Sequence, residues 1–423
     1  MQRSGHRRFG GLLRQHDFRL LWIGETTSQL GNAMASVAMP LVAVNILHAS
    51  NFVVASLTAT IYLPWLVIGL PVGAWVDRLP ARPLMLAADV LALLLYASLP
   101  AAYWLHVLTT GQLLTVALLS GVCYVVFLSA YKVYLPVLVS KADLIEGNAK
   151  LQAGGAVTRI GGPGLGGLAS QAIGPAATLL FDAASFLASA VCLLGIRAGA
   201  GEPRRRRPPT TIRHDIAEGV RFVAGDRFLR PMAIFAASQN FALAGYLALI
   251  VVFLVRSVGL RPGTVGVLLA VGGAGGVLGA LAARRLTARY GTSRGLILNA
   301  LCTTPFMLLI PLTAPGARLV FCVAGVLMLE AGLIITSIIF SSFQQSYCPP
   351  EILGRVGTSM QFLTYSTPVP GALLAGALAS WLDPRNALWI MLSIDAVSVT
   401  LLLTPTFTRQ RDLPQPEPST AVA

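Results

Sequence analysis

The stretch GAWVDRLPARPLML, residues 73–86, places Asp77, Arg78 and Arg82, with Pro80 and Pro83, between two apolar runs that can each cross a membrane. An acid and two arginines at such a place need a context, and composition supplies it. Of 423 residues, 55% are hydrophobic and 11% are charged, whereas a soluble domain carries roughly a quarter charged residues. Such a chain cannot cover its own surface in water, so lipid is its expected solvent. Its five cysteines are scattered without a CxxC pair, and its five histidines have no metal-ligand spacing. Neither a disulfide framework, a metal site nor a cofactor is expected.

A bilayer core of about 30 Å takes about 20 apolar residues at a rise of 1.5 Å each. Twelve segments meet that length: 20–45, 53–76, 84–104, 112–138, 151–173, 176–196, 231–255, 263–283, 295–313, 318–344, 356–381 and 387–405. The runs are too long for strands and lack alternation. The first run is too long for a cleaved signal and is read as a retained span. The expected fold is an all-α membrane protein. With the N-terminus placed inside, 25 of the 31 Lys and Arg residues fall on the inner side and 4 on the outer, while Lys132 and Arg159 lie within spans. That asymmetry puts both termini in the cytoplasm. It also accounts for the net charge of +14 through lipid contact, without nucleic acid.

The chain divides into residues 1–196, a linker 197–230 and residues 231–423. The linker begins AGAGEPRRRRPPTT, and Ile212, Ile216, Val220 and Val223 then recur at helical spacing, as in a helix lying on the inner surface. The two halves echo each other. Gly73-Ala-Trp-Val-Asp-Arg returns as Gly279-Ala-Leu-Ala-Ala-Arg, Pro163-Gly164 as Pro370-Gly371, Gly147 as Gly354, and Asp182-Ala-Ala-Ser185 as Asp395-Ala-Val-Ser398. Matches in order at nearly one offset predict two pseudo-symmetric six-helix bundles, with a site between them near the midplane.

These residues resemble the major facilitator superfamily. Gly73, Asp77 and Arg78, with Arg82 at the tenth position, resemble its loop 2–3 signature, departing from it at Pro80 and Ala81. Gly162, Pro163, Gly166 and Gly167 are similar to the GP-x-x-GG core of its exporters, with Thr158 and Ala149 where upstream glycines are usual. The opening FRLLWIGETTSQLGNAMASVAMPL and PPEILGRV are similar to the branch of macrolide-efflux and enterobactin exporters, which often has an acid where Asn32 stands. The resemblance implies that the 73–86 stretch is a cytoplasmic latch, with Asp77 facing the start of span 11 near Arg355. The same charges can also serve only as topology anchors.

GPGLGG, residues 162–167, fits a dinucleotide fingerprint, but no strand precedes it and it sits inside an apolar span. Gly162 and Gly166 instead form a face on which another helix can close, and Gly69/Gly73 and Gly275/Gly279 repeat the spacing.

Five carboxylates lie within spans: Glu25, Asp89, Asp182, Glu330 and Asp395. Glu25 and Asp89 are read as reaching headgroups. Asp182 and Asp395 fall on helices that are peripheral in the resembled fold and are read as structural. Glu330 lies near the centre of span 10, which lines the cavity in that fold. It is the first candidate for proton coupling or cation binding, beside the alternative of a satisfied structural acid. Arg159 is an anion contact or a carboxylate partner. Asn32, Gln29, Gln361 and the rings of Trp22, Trp65, Tyr124, Phe241 and Phe340 suit a large amphipathic solute.

The function expected is secondary export of an amphipathic drug, siderophore or metabolite by proton antiport with alternating access. The expected partners are that solute, protons and membrane lipid, with the chain a monomer. An importer or lipid facilitator is the alternative on the same fold, with a non-transporting receptor behind it. No lysine follows a glycine, so there is no ATP-binding Walker sequence. No nucleophile–base spacing points to an enzyme.

Overall fold

The computed structural model describes residues 11–76, 79–140, 143–197 and 220–414. Asp77, Arg78, the linker residues 198–219 and the surroundings of Gly73, Gly354 and Arg355 lie outside what is described. The long helices are α1 (His16–Leu41), α2 (Asn51–Val76), α3 (Ala81–Trp104), α4 (Thr110–Leu138), α5 (Leu144–Ile173), α6 (Pro175–Gly195), α7 (Leu229–Val252), α8 (Pro262–Tyr290), α9 (Thr292–Met307), α10 (Leu319–Tyr347), α11 (Pro350–Ser366), α12 (Pro368–Trp381) and α13 (Pro384–Ser398).

Eleven of the described stretches are long and apolar enough to span a bilayer. The twelfth expected span is α5, with 30 residues. It is less apolar because its middle is rich in glycine and carries Arg159. It packs between α1 and α8, so helices rather than lipid meet those faces. Span 11 is broken into α11 and α12 at Thr367. Pro368 has no N–H to continue the ladder, and its ring crowds the preceding turn.

The packing repeats between halves. In the first, α1 lies on α5 and α6, α2 on α4, and α3 on α4 and α6. In the second, α7 lies on α12 and α13, α8 on α10, and α9 on α10. Even the irregularities match. A π-helical turn, Val42–Ile46 after α1 and Phe253–Ser257 after α7, closes each leading span. The pairs Leu47 N→Val42 O and Val258 N→Phe253 O are both 3.0 Å, and Ala49 N→Ala43 O and Leu260 N→Leu254 O are both 2.9 Å. The halves meet along α5–α8 and α2–α12, each contact the pseudo-symmetric image of the other.

The end where α1 begins is the basic end, and the opposite one is the far end. Toward the far end the cores of the two halves merge: Val252 of α7 packs among first-half residues, and Val37 and Leu41 of α1 among second-half residues. Ala55 and Ala59 meet Ala244, Ala248 and Ala372 in a small mixed cluster. Toward the basic end the cores are separate among the described residues. One contains Phe18, Met85 and Tyr134, the other Phe228, Phe343 and Phe407. Among the described residues, then, the halves join toward the far end and keep separate cores toward the basic end, with a cleft between them.

Candidate functional site

Helix geometry places the top of this cleft at mid-depth. Trp65 lies 14 residues into α2, Tyr124 14 into α4, Arg159 15 into α5 and Tyr365 15 into α11, each about 21–23 Å along its helix. Trp65 and Tyr365, from opposite halves, stack with centroids 4.3 Å apart and planes at 7°. Tyr124 stands edge-on to Trp65 at 6.4 Å and lies within electrostatic reach of Glu25, Arg159, Tyr365 and Tyr62. These rings come from three helices and form one wall.

The acids divide by environment. Glu25 does not reach a headgroup: it is nine residues into α1, about 14 Å from its basic end. It accepts a 2.6 Å hydrogen bond from Gln29 Nε2, and it faces Tyr124 and Tyr131 of α4. Asp89 is also not at a headgroup. It is 2% exposed and bonded to Ser189 between α3 and α6. Asp182 is fully buried. It packs with Ser185 onto Gly31 of α1, and Ser185 Oγ donates to the Asp182 carbonyl at 2.7 Å. Ser398 Oγ makes the same 2.7 Å bond to the Asp395 carbonyl. Glu330 is half-buried and rests on Gly272 of α8, and the charge of Arg159 acts on it. Asn32 is half-buried in α1 and makes no side-chain hydrogen bond among the described residues. The structure thus brings Glu25, Arg159 and Glu330 to one cleft with the ring wall. Asp182 and Asp395 stay away from it in helix packing.

Residues 11–421 match the major facilitator family model described as a transmembrane secretion effector. This chain belongs to that family. It is 28% identical over 369 residues to the multidrug efflux pump Tap of Mycolicibacterium fortuitum, covering 85% of this chain and 88% of that protein. Among solved structures, the nucleoside transporter NupG superposes with a TM-score of 0.73 at 13% identity, over 92% of this chain and 98% of that one. A bacterial homologue of the iron transporter ferroportin, in its inward-facing state, superposes with a TM-score of 0.71 at 15% identity, over 93% and 98%. The chain is a multi-pass membrane transporter of the major facilitator fold, and not an enzyme.

In this family member the glycine–proline cluster is a three-helix junction. Gly162 meets Ala33, and a β-carbon on Gly166 would stand 2.6 Å from the Met34 carbonyl oxygen, both on α1. Gly167 faces the other way, where a β-carbon would stand 2.6 Å from Gly266 Cα of α8. Gly275 and Gly279 of α8 lie against Leu327 and Ala331 of α10, whereas Gly69 meets, among the described residues, only Trp65 of its own helix. Of the loop 2–3 positions, Arg82 is described, and its contacts were not foreseen. Its Nε donates to Leu193 O at 2.9 Å and its Nη2 to Leu194 O at 3.0 Å, so it caps the last carbonyls of α6, where a cation also suits the helix dipole.

The far end is held by polar bonds as well as by apolar packing. Arg256, in the π turn after α7, donates to Asn51 Oδ1 and to Ala49 O, each at 2.6 Å. Asn51 Nδ2 donates to Ala379 O of α12 at 2.9 Å. On the opposite side of the seam, Gly263 N donates to Gln171 Oε1 at 3.1 Å. Both clasps join one half to the other.

Proposed function

We propose that this transporter exports amphipathic, ring-bearing organic cations (drugs, siderophores or secondary metabolites) across the cytoplasmic membrane in exchange for protons. Both termini would be cytoplasmic, and residues 1–196 and 231–423 would rock about the midplane as two units joined by the linker 197–230. The observation that carries this reading is the composition of the cleft. Stacked and edge-on aromatic rings stand beside two carboxyl groups, Glu25 and Glu330, at the blind end of an opening on the basic side. Rings hold a flat apolar body. A carboxylate out of bulk water takes either a cation or a proton, so the two compete. The efflux pump Tap supports the direction, and the Gly162–Gly167 junction supports a tight far-end seal.

Ethidium uptake into inverted membrane vesicles tests the reading. An acid-lumen gradient should drive accumulation, and a protonophore should abolish it. Accumulation indifferent to the gradient, or driven only by the opposite one, overturns it.

Trp65→Ala removes one face of the ring wall. Ethidium binding to the purified protein, read by fluorescence titration, should weaken about three- to tenfold, since one ring pair is worth about 0.5–1.5 kcal/mol beyond its buried area. An unchanged affinity would place the ligand elsewhere.

Arg256→Ala removes the clasp at the far end. Charged-donor hydrogen bonds are worth about 1.5–3 kcal/mol, so the far-end-open state should gain at least about tenfold in population. Spin labels introduced as Val107→Cys and Ala317→Cys, on exposed far-end connections of the two halves, should report longer distances. An identical distance distribution would show that the clasp does not hold the seam.

A further inference from the structure

Arg159 has no task in the reading above. It is exposed in the cleft, and no carboxylate lies within ion-pair distance of it among the described residues. Its placement nevertheless follows from two adjacent glycines of α8. A β-carbon on Gly273 would stand 2.6 Å from Cα of Ile160, the residue after Arg159, and one on Gly272 would stand 3.0 Å from Cγ of Glu330. A side chain at 273 would push the α5 backbone away, and one at 272 would displace the Glu330 and Val326 side chains. The glycine pair thus seats the Arg159 segment of one half and the Glu330 carboxyl of the other on neighbouring residues of a single helix. Arg159 is the cation whose charge reaches Glu330, and Tyr124 of the ring wall feels it too.

We propose that Arg159 is a tethered cation that competes with the transported cation for Glu330. In the empty cleft the guanidinium offsets the Glu330 charge through space without a bond that would have to be broken. An incoming organic cation, its rings on Trp65 and Tyr365, takes the carboxylate, and the guanidinium withdraws toward the open water of the cleft. Because Arg159 and Glu330 belong to different halves, occupation of Glu330 also removes an attraction between those halves. The ligand class that follows is a monocation carrying its charge at one edge of a flat ring system. A neutral analogue of the same shape gains nothing from displacing Arg159.

The inference rests on the export reading and is tested apart from it. Ethidium is titrated into purified full-length protein, wild type and Arg159→Gln, each also in a Glu330→Gln background. Arg159→Gln should tighten binding by about tenfold, the effect of removing one competing charge near a carboxylate. In the Glu330→Gln background the same change should have no effect. Should Arg159→Gln not fold, Arg159→Met, which suits an apolar span, carries the same comparison. Equal or weaker binding in the Arg159 variant, with the wild type still binding ethidium, overturns this inference alone. Tightening that persists without Glu330 overturns it as well, because the competition would then be for another group. Absence of ethidium binding and transport in the wild type overturns the export reading instead.

Discussion

Glu330→Gln should abolish ethidium accumulation driven by an acid-lumen gradient in inverted vesicles, with a fall of at least about 100-fold. The exchange keeps shape and hydrogen-bonding capacity and removes only the charge and the exchangeable proton. A carboxylate facing a cation in a site of low polarity contributes about 1–3 pH units of interaction, which is about 1.4–4 kcal/mol. Half-buried on Gly272, Glu330 is shielded enough to fall in the upper part of that range. Loss of coupling is separable from loss of folding by measuring exchange of labelled for unlabelled ethidium without any gradient. That exchange needs alternating access but no proton, so it should survive at reduced affinity. If gradient-driven uptake persists in Glu330→Gln and disappears in Glu25→Gln, coupling belongs to α1 and the assignment to α10 is lost.

Much of the architecture was legible because lipid imposes a length on every crossing. Runs of about 20 apolar residues and the recurrence of short motifs in the second half needed no tertiary knowledge. The DAAS and DAVS repeats even make the same serine-to-carbonyl bond. What escaped depends on depth and on the meeting of the halves. Glu25 looked superficial because the apolar run begins at residue 20, whereas the helix begins at His16 and carries the acid well into the bundle. Nothing local in the sequence pairs Trp65 with Tyr365, since their stacking is set by how α2 and α11 approach across the cleft. The break at Thr367 was carried by Pro368, but a proline at 163 leaves α5 continuous, so proline alone did not decide it. Arg82 was read by its motif as a loop anchor, and its bonds to the end of α6 depend on helix packing that no motif states. The role of Arg159 is legible only once Gly272 and Gly273 are seen to seat its neighbour and Glu330 together.

Gly167→Ala should cost the transporter most of its activity, although it adds a single methyl group. The new β-carbon would stand 2.6 Å from Gly266 Cα, 2.6 Å from Pro262 O and 2.8 Å from Gly266 N. All three are backbone atoms, so no side chain can turn aside and α5 and α8 must move apart. Overpacking of this kind costs about 1–3 kcal/mol. The contact lies in the far-end half of the seam, closed in the state described here and necessarily parted when the cleft opens the other way. The strain therefore falls on one state. The population ratio should shift about 5- to 150-fold toward the far-end-open state, and the Val107–Ala317 label distance should lengthen as it does for Arg256→Ala. Gradient-driven uptake should fall by about fivefold or more, because the state that loads substrate from the basic side becomes scarce. Gly161 provides the control within the same helix: a β-carbon there meets nothing within 4 Å, so Gly161→Ala should leave both readouts unchanged. If Gly167→Ala behaves like Gly161→Ala, the α5–α8 seam has slack. The closure of the far end would then have to rest on the merged apolar cores and on the Arg256 and Gln171 clasps.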